Sequence, residues 1–136
     1  FVQILRTSER WRGPPAVFVG PFEHHSNLLP WRESGAQVIE VGVNAVGHVD
    51  LAQLEAQLIQ AEKEAPGRLK VGAFSAVSNV TGIITDVRAV TKVLRAHGAL
   101  SCWDYAAAAS HAEIDVNAVE STSTGGTSTV QLKLDA

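Results

Sequence analysis

The sequence contains no methionine and a single cysteine, Cys102, among its 136 residues. One cysteine excludes an internal disulfide and is typical of proteins from a reducing compartment. No apolar run approaches the roughly 20 residues that span a bilayer, and residues 1–10 mix charged with apolar side chains, unlike a secretory signal. These absences predict a cytoplasmic protein without a membrane partner. Because the chain begins with Phe1, we expect it to be a fragment of a longer protein.

Basic residues are also few, since 11 Lys and Arg against 14 Asp and Glu give a formal net charge of −3. This balance argues against a nucleic-acid partner, whose phosphates would require a basic surface. Hydrophobic residues make up 46% of the chain and charged residues 18%, a composition typical of globular domains. We predict one domain over residues 1–120, followed by a flexible, low-complexity tail over residues 121–136, where Ser, Thr and Gly predominate.

Short apolar runs alternate with amphipathic segments along the chain. The apolar runs predict four strands, at residues 16–20, 37–43, 69–76 and 99–103. Helices are predicted between them, the first over residues 27–34, with caps at Ser26, at Asp50 and at Thr85 or Asp86; a further short helix is predicted before Gly13. This alternation predicts an α/β fold of three layers, in which a mainly parallel sheet is flanked by helices.

Polar and ionisable side chains follow three of the four predicted strands. Glu23, His24 and His25 follow the first strand, Asn79 follows the third, and Asp104 follows the fourth. Ligands of open parallel sheets bind beyond the carboxyl ends of the strands, because loops and helix amino termini meet there. We therefore predict a binding site at this edge of the sheet.

Each of these side chains also has a simpler interpretation. Adjacent histidines could bind a metal, but His24 and His25 lack the i, i+4 spacing of helical zinc sites, so hydrogen bonding at a helix start is the simpler alternative. Asn79 could serve only the turn before Gly82. Asp104 could cap the following segment, although its carboxylate, which follows an apolar stretch, is expected to be partly buried and to need a cation or several donors.

Signatures of nucleophilic or nucleotide-binding sites are absent from the sequence. It contains no nucleophile elbow, no phosphate-binding P-loop and no dinucleotide glycine fingerprint. Cys102 has no basic neighbour in the sequence that would lower its pKa. We therefore interpret Cys102 as a small buried apolar residue.

Three motifs occur in order along the chain: EHHSNLLPW at 23–31, SNVTG at 78–82 and WDYAAAASHAEIDVN at 103–117. In order and separation they resemble class V aminotransferases, pyridoxal-phosphate enzymes of fold type I that include the cysteine desulfurases. The resemblance covers residues 16–117 and implies part of the family's large domain, with strand order 4-3-1-2. It also implies pyridoxal 5′-phosphate as the cofactor, an amino acid as the substrate and a homodimeric enzyme.

The resemblance assigns a cofactor-binding role to three residues. His24 matches the histidine that stacks on the pyridine ring, and Asn79 matches the asparagine that donates toward the ring's phenolic oxygen. Asp104 matches the aspartate that pairs with the protonated pyridine nitrogen. A carboxylate at that nitrogen keeps it protonated, so that the ring can accept electron density from the substrate's α-carbon. His25 matches a neighbouring family position without an assigned role.

The sequence departs from the family pattern at the catalytic lysine and at one cofactor contact. None of its lysines stands in the Ser-x-His-Lys stretch that forms the family's Schiff base; they are Lys63, Lys70, Lys92 and Lys133. Ala107 occupies the position of a glutamine, and the family's Gly-Thr phosphate loop has no counterpart. We therefore expect weak or absent cofactor binding, no catalytic residue and no turnover in these 136 residues. The alternatives are a non-catalytic binding or scaffold module, or an unrelated doubly wound module.

Overall fold

The computed structural model describes residues 13–110 and residue 114. Strands and helices alternate along this part of the chain. In order they are β1 (Ala16–Val19), α1 (His25–Glu33), β2 (Gln37–Glu40), α2 (Leu51–Glu64), β3 (Lys70–Ser75), α3 (Val87–Ala96) and β4 (Leu100–Asp104). None of the described helices has the length and apolar character that a bilayer crossing demands. The predicted amino-terminal helix and the predicted tail lie outside the described residues.

The four strands form one parallel sheet in the order β2-β1-β3-β4. Read from the other edge this is 4-3-1-2, so the predicted α/β class and strand order are confirmed. Ala16 lies between Gln37 and Lys70 in the register, and at the other end of the sheet Ser75 lies opposite Asp104. The carboxyl ends of β3 and β4 therefore finish side by side.

Helices cover both faces of the sheet, which gives the predicted three layers. Alternate side chains of a strand point to opposite faces, so each central strand contributes to two apolar clusters. On one face α2 and α3 pack on the sheet, in a cluster that includes Phe18, Leu54, Leu58, Phe74, Val90 and Leu94. On the other face α1 packs through Trp31, in a cluster that includes Val17, Val19, Val71 and Ala73. Consequently β1 and β3 are buried along their whole length.

Polar side chains cap the three helices, and two of the predicted caps are correct. Asp50 accepts a hydrogen bond from the backbone N–H of Gln53 at 3.0 Å, and Asp86 accepts one from Ala89 at 2.9 Å. The prediction of Ser26 as the first cap is wrong, because α1 already includes Ser26 and its cap is His24. The Nδ1 atom of His24 accepts from the backbone N–H of Ser26 at 3.2 Å and so starts the helix earlier.

The second strand is shorter than predicted. β2 ends at Glu40 rather than Val43. The chain then turns back on itself, so that Val43 forms an isolated antiparallel bridge with Val49 instead of extending the parallel sheet. Apolar residues after Glu40 thus belong to a tight loop that leads into α2.

Candidate active site

A cleft of about 360 Å³ opens where α1 begins and where β3 and β4 end. All three residues that the resemblance assigned to cofactor binding line this cleft. Its lining residues are His24, Ser26, Ser75, Val77, Asn79, Asp104, Ala106 and Ala107. The sheet topology therefore brings together three motifs that are about 55 and 25 residues apart in the sequence, as expected for an open parallel sheet.

Asp104 stands at the end of β4, half-buried beside the last residue of β3. Its backbone carbonyl accepts from the N–H of Ala76 at 2.9 Å, and Trp103 before it donates from Nε1 to Thr91 Oγ1 at 3.1 Å. One carboxylate oxygen, Oδ1, accepts from the N–H of Ala106 at 2.8 Å, so the predicted capping contact exists. Among the described residues, no hydrogen bond or ion pair engages Oδ2.

The chemistry of this carboxylate suits a protonated ring nitrogen. A carboxylate has several lone-pair positions, and the contact with Ala106 uses one of them. A partly buried carboxylate is stabilised when a cationic N–H group lies within hydrogen-bonding distance. Because Asp104 lines the cleft, the pyridine nitrogen of pyridoxal 5′-phosphate is a group that fits this donor requirement.

His24 presents an exposed imidazole to the same cleft. A backbone N–H can only donate, so the hydrogen bond from Ser26 makes Nδ1 of His24 an acceptor. The hydroxyl of Ser26 lies 2.8 Å from the same nitrogen. In the neutral ring the proton therefore sits on Nε2. His25 is exposed, its ring centroid lies 6.1 Å from that of His24, and it does not line the cleft.

Asn79 is exposed in the loop that follows β3. This loop is closed by an antiparallel bridge between Val77 and Ile84. The hydroxyl of Ser78 accepts from the N–H of Thr81 at 3.1 Å, and the left-handed backbone of the turn belongs to Gly82, with φ of +71°. The turn is thus built by Ser78 and Gly82, which leaves the Asn79 amide available at the cleft.

Lysines of the described residues lie away from the cleft. Lys63 and Lys92 are exposed on α2 and α3. Lys70 begins β3, at the opposite end of that strand from the cleft, and its ammonium forms an ion pair with Glu62. Lys133 lies outside the described residues. None of the first three is therefore placed to bond a molecule in the cleft.

Cys102 lies two residues before Asp104 on β4 and packs against the α1-side apolar cluster. Burial raises the pKa of the Cys102 thiol above its ordinary value of 9.0, because a thiolate is poorly solvated there. The thiol is therefore neutral near physiological pH, in agreement with its interpretation as a small apolar residue.

Glu23, which the sequence also placed at this edge of the sheet, does not itself line the cleft, and the sequence did not reveal its contacts. Its carboxylate bonds Ser75, at the end of β3, and Asn27, in the first turn of α1. The contact with Asn27 spans four residues, a spacing from which a sequence can suggest a contact at the start of a helix. The contact with Ser75 spans 52 residues and has no such local signal. Within the described residues, no group of three His, Cys, Asp or Glu side chains is arranged to hold a metal ion.

Comparison with known proteins identifies relatives of this chain. The family model for Aminotransferase class-V matches residues 5–126. A probable cysteine desulfurase of Pyrococcus abyssi is 35% identical over 104 residues, which cover 74% of this chain and 24% of that protein. A probable cysteine desulfurase of Methanothermobacter thermautotrophicus is 31% identical over 121 residues, covering 87% of this chain and 28% of that protein.

Solved structures show the same similarity. The cysteine desulfurase CsdA from Escherichia coli superposes with a TM-score of 0.59 at 27% identity, over 77% of this chain and 26% of that one. Mouse CSAD superposes with a TM-score of 0.62 at 26% identity, over 71% of this chain and 21% of that one. The chain thus spans about a quarter of the length of the curated relatives that it matches. Since the family match extends over most of its residues, the chain belongs to the class V aminotransferase family of pyridoxal-phosphate-dependent proteins.

Proposed function

We propose that this chain forms the ring-binding part of a pyridoxal-phosphate-dependent transferase or lyase that acts on amino acids. The observation that carries the proposal is the convergence of His24, Asn79 and Asp104 on one cleft. Each residue comes from a different family motif, and each presents a group with a distinct chemistry: a flat ring, an amide and a carboxylate. The curated relatives are probable cysteine desulfurases, and this name supports amino acids as the substrate class.

These three residues would divide the recognition of the ring between them. Asp104 holds a proton at the pyridine nitrogen, because its carboxylate stabilises the cationic N–H. His24 covers one face of the ring with its imidazole and shields that face from water. Asn79 donates from its amide to the phenolic oxygen. Pyridoxal 5′-phosphate, when bound, supplies an electron sink for negative charge at the substrate's α-carbon.

We further propose that these 136 residues alone do not catalyse turnover. The lysines of the described region lie away from the cleft, and Lys133 lacks the family's preceding histidine. Ala107 lines the cleft at the position where the family has glutamine, so a hydrogen bond near the phenolic oxygen is missing. Weak ring binding is the expected consequence. The family's homodimeric state and a cytoplasmic location belong to the same proposal.

A non-catalytic binding or scaffold module is the second candidate. The same placement of the lysines favours it, because a module that had lost catalysis would have no use for a Schiff-base lysine near the cleft. The two candidates differ in whether the cleft still recognises the pyridine ring. Binding of the ring through Asp104 supports the enzyme-derived site, and its absence supports the scaffold.

Titration of the chain with pyridoxal 5′-phosphate tests the proposal. We expect saturable shifts of the His24 ring resonances, and we expect Asp104→Asn to weaken binding roughly tenfold or more, since a charged hydrogen bond is lost. Asp50→Asn is the matched control, because it makes the same change at a helix cap away from the cleft. Equal affinities of wild type and Asp104→Asn would contradict the proposed role of Asp104.

Borohydride reduction tests the proposed lack of turnover. After incubation with pyridoxal 5′-phosphate and reduction, mass spectrometry is expected to show no stoichiometric lysine adduct, because no described lysine lines the cleft. Assays for transamination and for sulfide release from cysteine are expected to remain at the buffer level. A stoichiometric adduct on one lysine together with turnover would refute the catalytic part of the proposal.

A further inference from the structure

Three donors from two different elements hold the carboxylate of Glu23. The backbone N–H of Ser75 donates to Oε1 at 2.8 Å, and the hydroxyl of Ser75 donates to Oε2 at 2.8 Å. The side-chain amide of Asn27 donates to the same Oε2 at 2.6 Å. Both oxygens are thus engaged, and hydrogen bonds to a carboxylate are stronger than those between neutral groups.

Ser75, which donates both of these hydrogen bonds to Glu23, is itself fixed in the sheet. Ser75 is buried, ends the central strand β3 and pairs in register with Asp104. Its backbone carbonyl accepts from the Thr85 hydroxyl at 2.8 Å, a buried contact. Glu23 therefore attaches the segment between β1 and α1 to a part of the molecule that is held from several sides.

The lack of a side chain at Gly20 leaves room for the Glu23 carboxylate. A Cβ atom at Gly20 would lie 2.7 Å from Oε1 of Glu23 and 2.9 Å from Cδ1 of Phe74. Both distances are shorter than any normal contact with a carbon atom. The absence of a side chain at Gly20 is thus required for the observed position of Glu23.

We infer that Glu23 is a positioning residue that fixes His24 at the cleft. His24 is the next residue in the chain, and its imidazole caps α1 through Ser26. Glu23 binds the start of this segment to β3, and the cap binds its end to the helix. The imidazole is consequently held between two attachments, with its place relative to Ser75 and Asp104 set by Glu23. The consequence for ring binding rests on the function proposed above.

Backbone ¹⁵N relaxation without any ligand is the first test. In Glu23→Ala, the order parameters of His24 and Ser26 are expected to fall from about 0.85 to below about 0.6, because the attachment to β3 is lost. Glu23→Gln keeps one acceptor oxygen and nearly the same volume, so its values are expected close to wild type. Glu33→Ala, at the end of the same helix, is the matched control. Unchanged order in Glu23→Ala would overturn the inference.

A double-mutant cycle with pyridoxal 5′-phosphate is the second test. Glu23→Ala is expected to weaken binding about tenfold in the wild-type background and not at all in His24→Ala, because it acts through His24. Recovery of the affinity in Glu23→Gln is expected as well. An equal loss in both backgrounds would show a general structural role and overturn the inference. Absence of binding by the wild type would refute the proposed function, while the relaxation measurement would still decide the role of Glu23.

Discussion

Replacement of Gly72 by alanine is expected to destabilise the fold by a predictable mechanism. Gly72 lies in the middle of the buried strand β3, directly below Leu94 of α3. A Cβ atom there would lie 2.4 Å from Cδ1 and 2.7 Å from Cδ2 of Leu94, and 3.1 Å from its Cγ. The optimal separation of two carbon atoms is about 3.5–4.0 Å. Leu94 is completely buried, so it has to leave its rotamer or push α3 outward.

The size of the effect follows from two opposing contributions. Insertion of a methyl group into a well-packed core costs about 1–3 kcal/mol. The loss of glycine's backbone freedom in the unfolded chain returns about 0.4–1 kcal/mol. We therefore expect Gly72→Ala to lower the free energy of unfolding by about 1–2 kcal/mol. With a slope of about 2 kcal/mol per molar urea, in the middle of the usual range, the midpoint should fall by about 0.5–1 M.

Urea unfolding in two backgrounds separates this mechanism from a generic cost of mutation. Leu94→Ala alone should destabilise the fold by about 2–5 kcal/mol, because it leaves a cavity. In that background Gly72→Ala should be neutral or stabilising, since the new methyl group enters the cavity. An equal decrease of the midpoint in both backgrounds would refute the steric argument.

Three further measurements test other contacts of the structure. The hydrogen bond from Lys70 holds the pKa of the Glu62 carboxyl below its ordinary 4.5. The stabilisation of the fold by this ion pair is therefore complete above that pH and is lost as the pH falls. Between roughly pH 5 and pH 3, the urea midpoint of the wild type should decline more steeply than that of Glu62→Gln. Asp86→Ala should cost about 0.5–2 kcal/mol in urea unfolding, because the N–H of Ala89 loses its cap. Iodoacetamide should alkylate Cys102 more slowly than free cysteine at about pH 8, since its pKa is raised, and urea should abolish the difference.

Most of the fold could be predicted because its signals are local. A central strand covered on both faces is a continuous apolar run, as in β1 and β3, and Asp50 and Asp86 are ordinary helix caps. The errors arose where a local pattern has two outcomes. Apolar residues after Glu40 form a loop rather than strand, and a histidine caps α1 in place of the neighbouring serine.

The candidate site could be predicted in part, for a different reason. Parallel topology places the ends of strands together, so Asp104 and Asn79 were expected at one edge before any contact was known. The pairing of Glu23 with Ser75 joins residues 52 positions apart, and nothing in either neighbourhood signals the other. Long-range contacts between polar side chains depend on the final packing of the sheet, which short sequence patterns do not encode.

The position of Asp104 on β4 has a consequence for how the cleft responds to an occupant. Within the described residues β3 has a strand on each side, whereas β4 is paired on one side and its first two residues are exposed. Outer strands open by local fraying, while central strands exchange their amide hydrogens only through larger openings. We therefore expect the β3 wall of the cleft to be more rigid than the β4 wall before a molecule enters. Occupancy should therefore slow amide exchange in β4 far more than in β3.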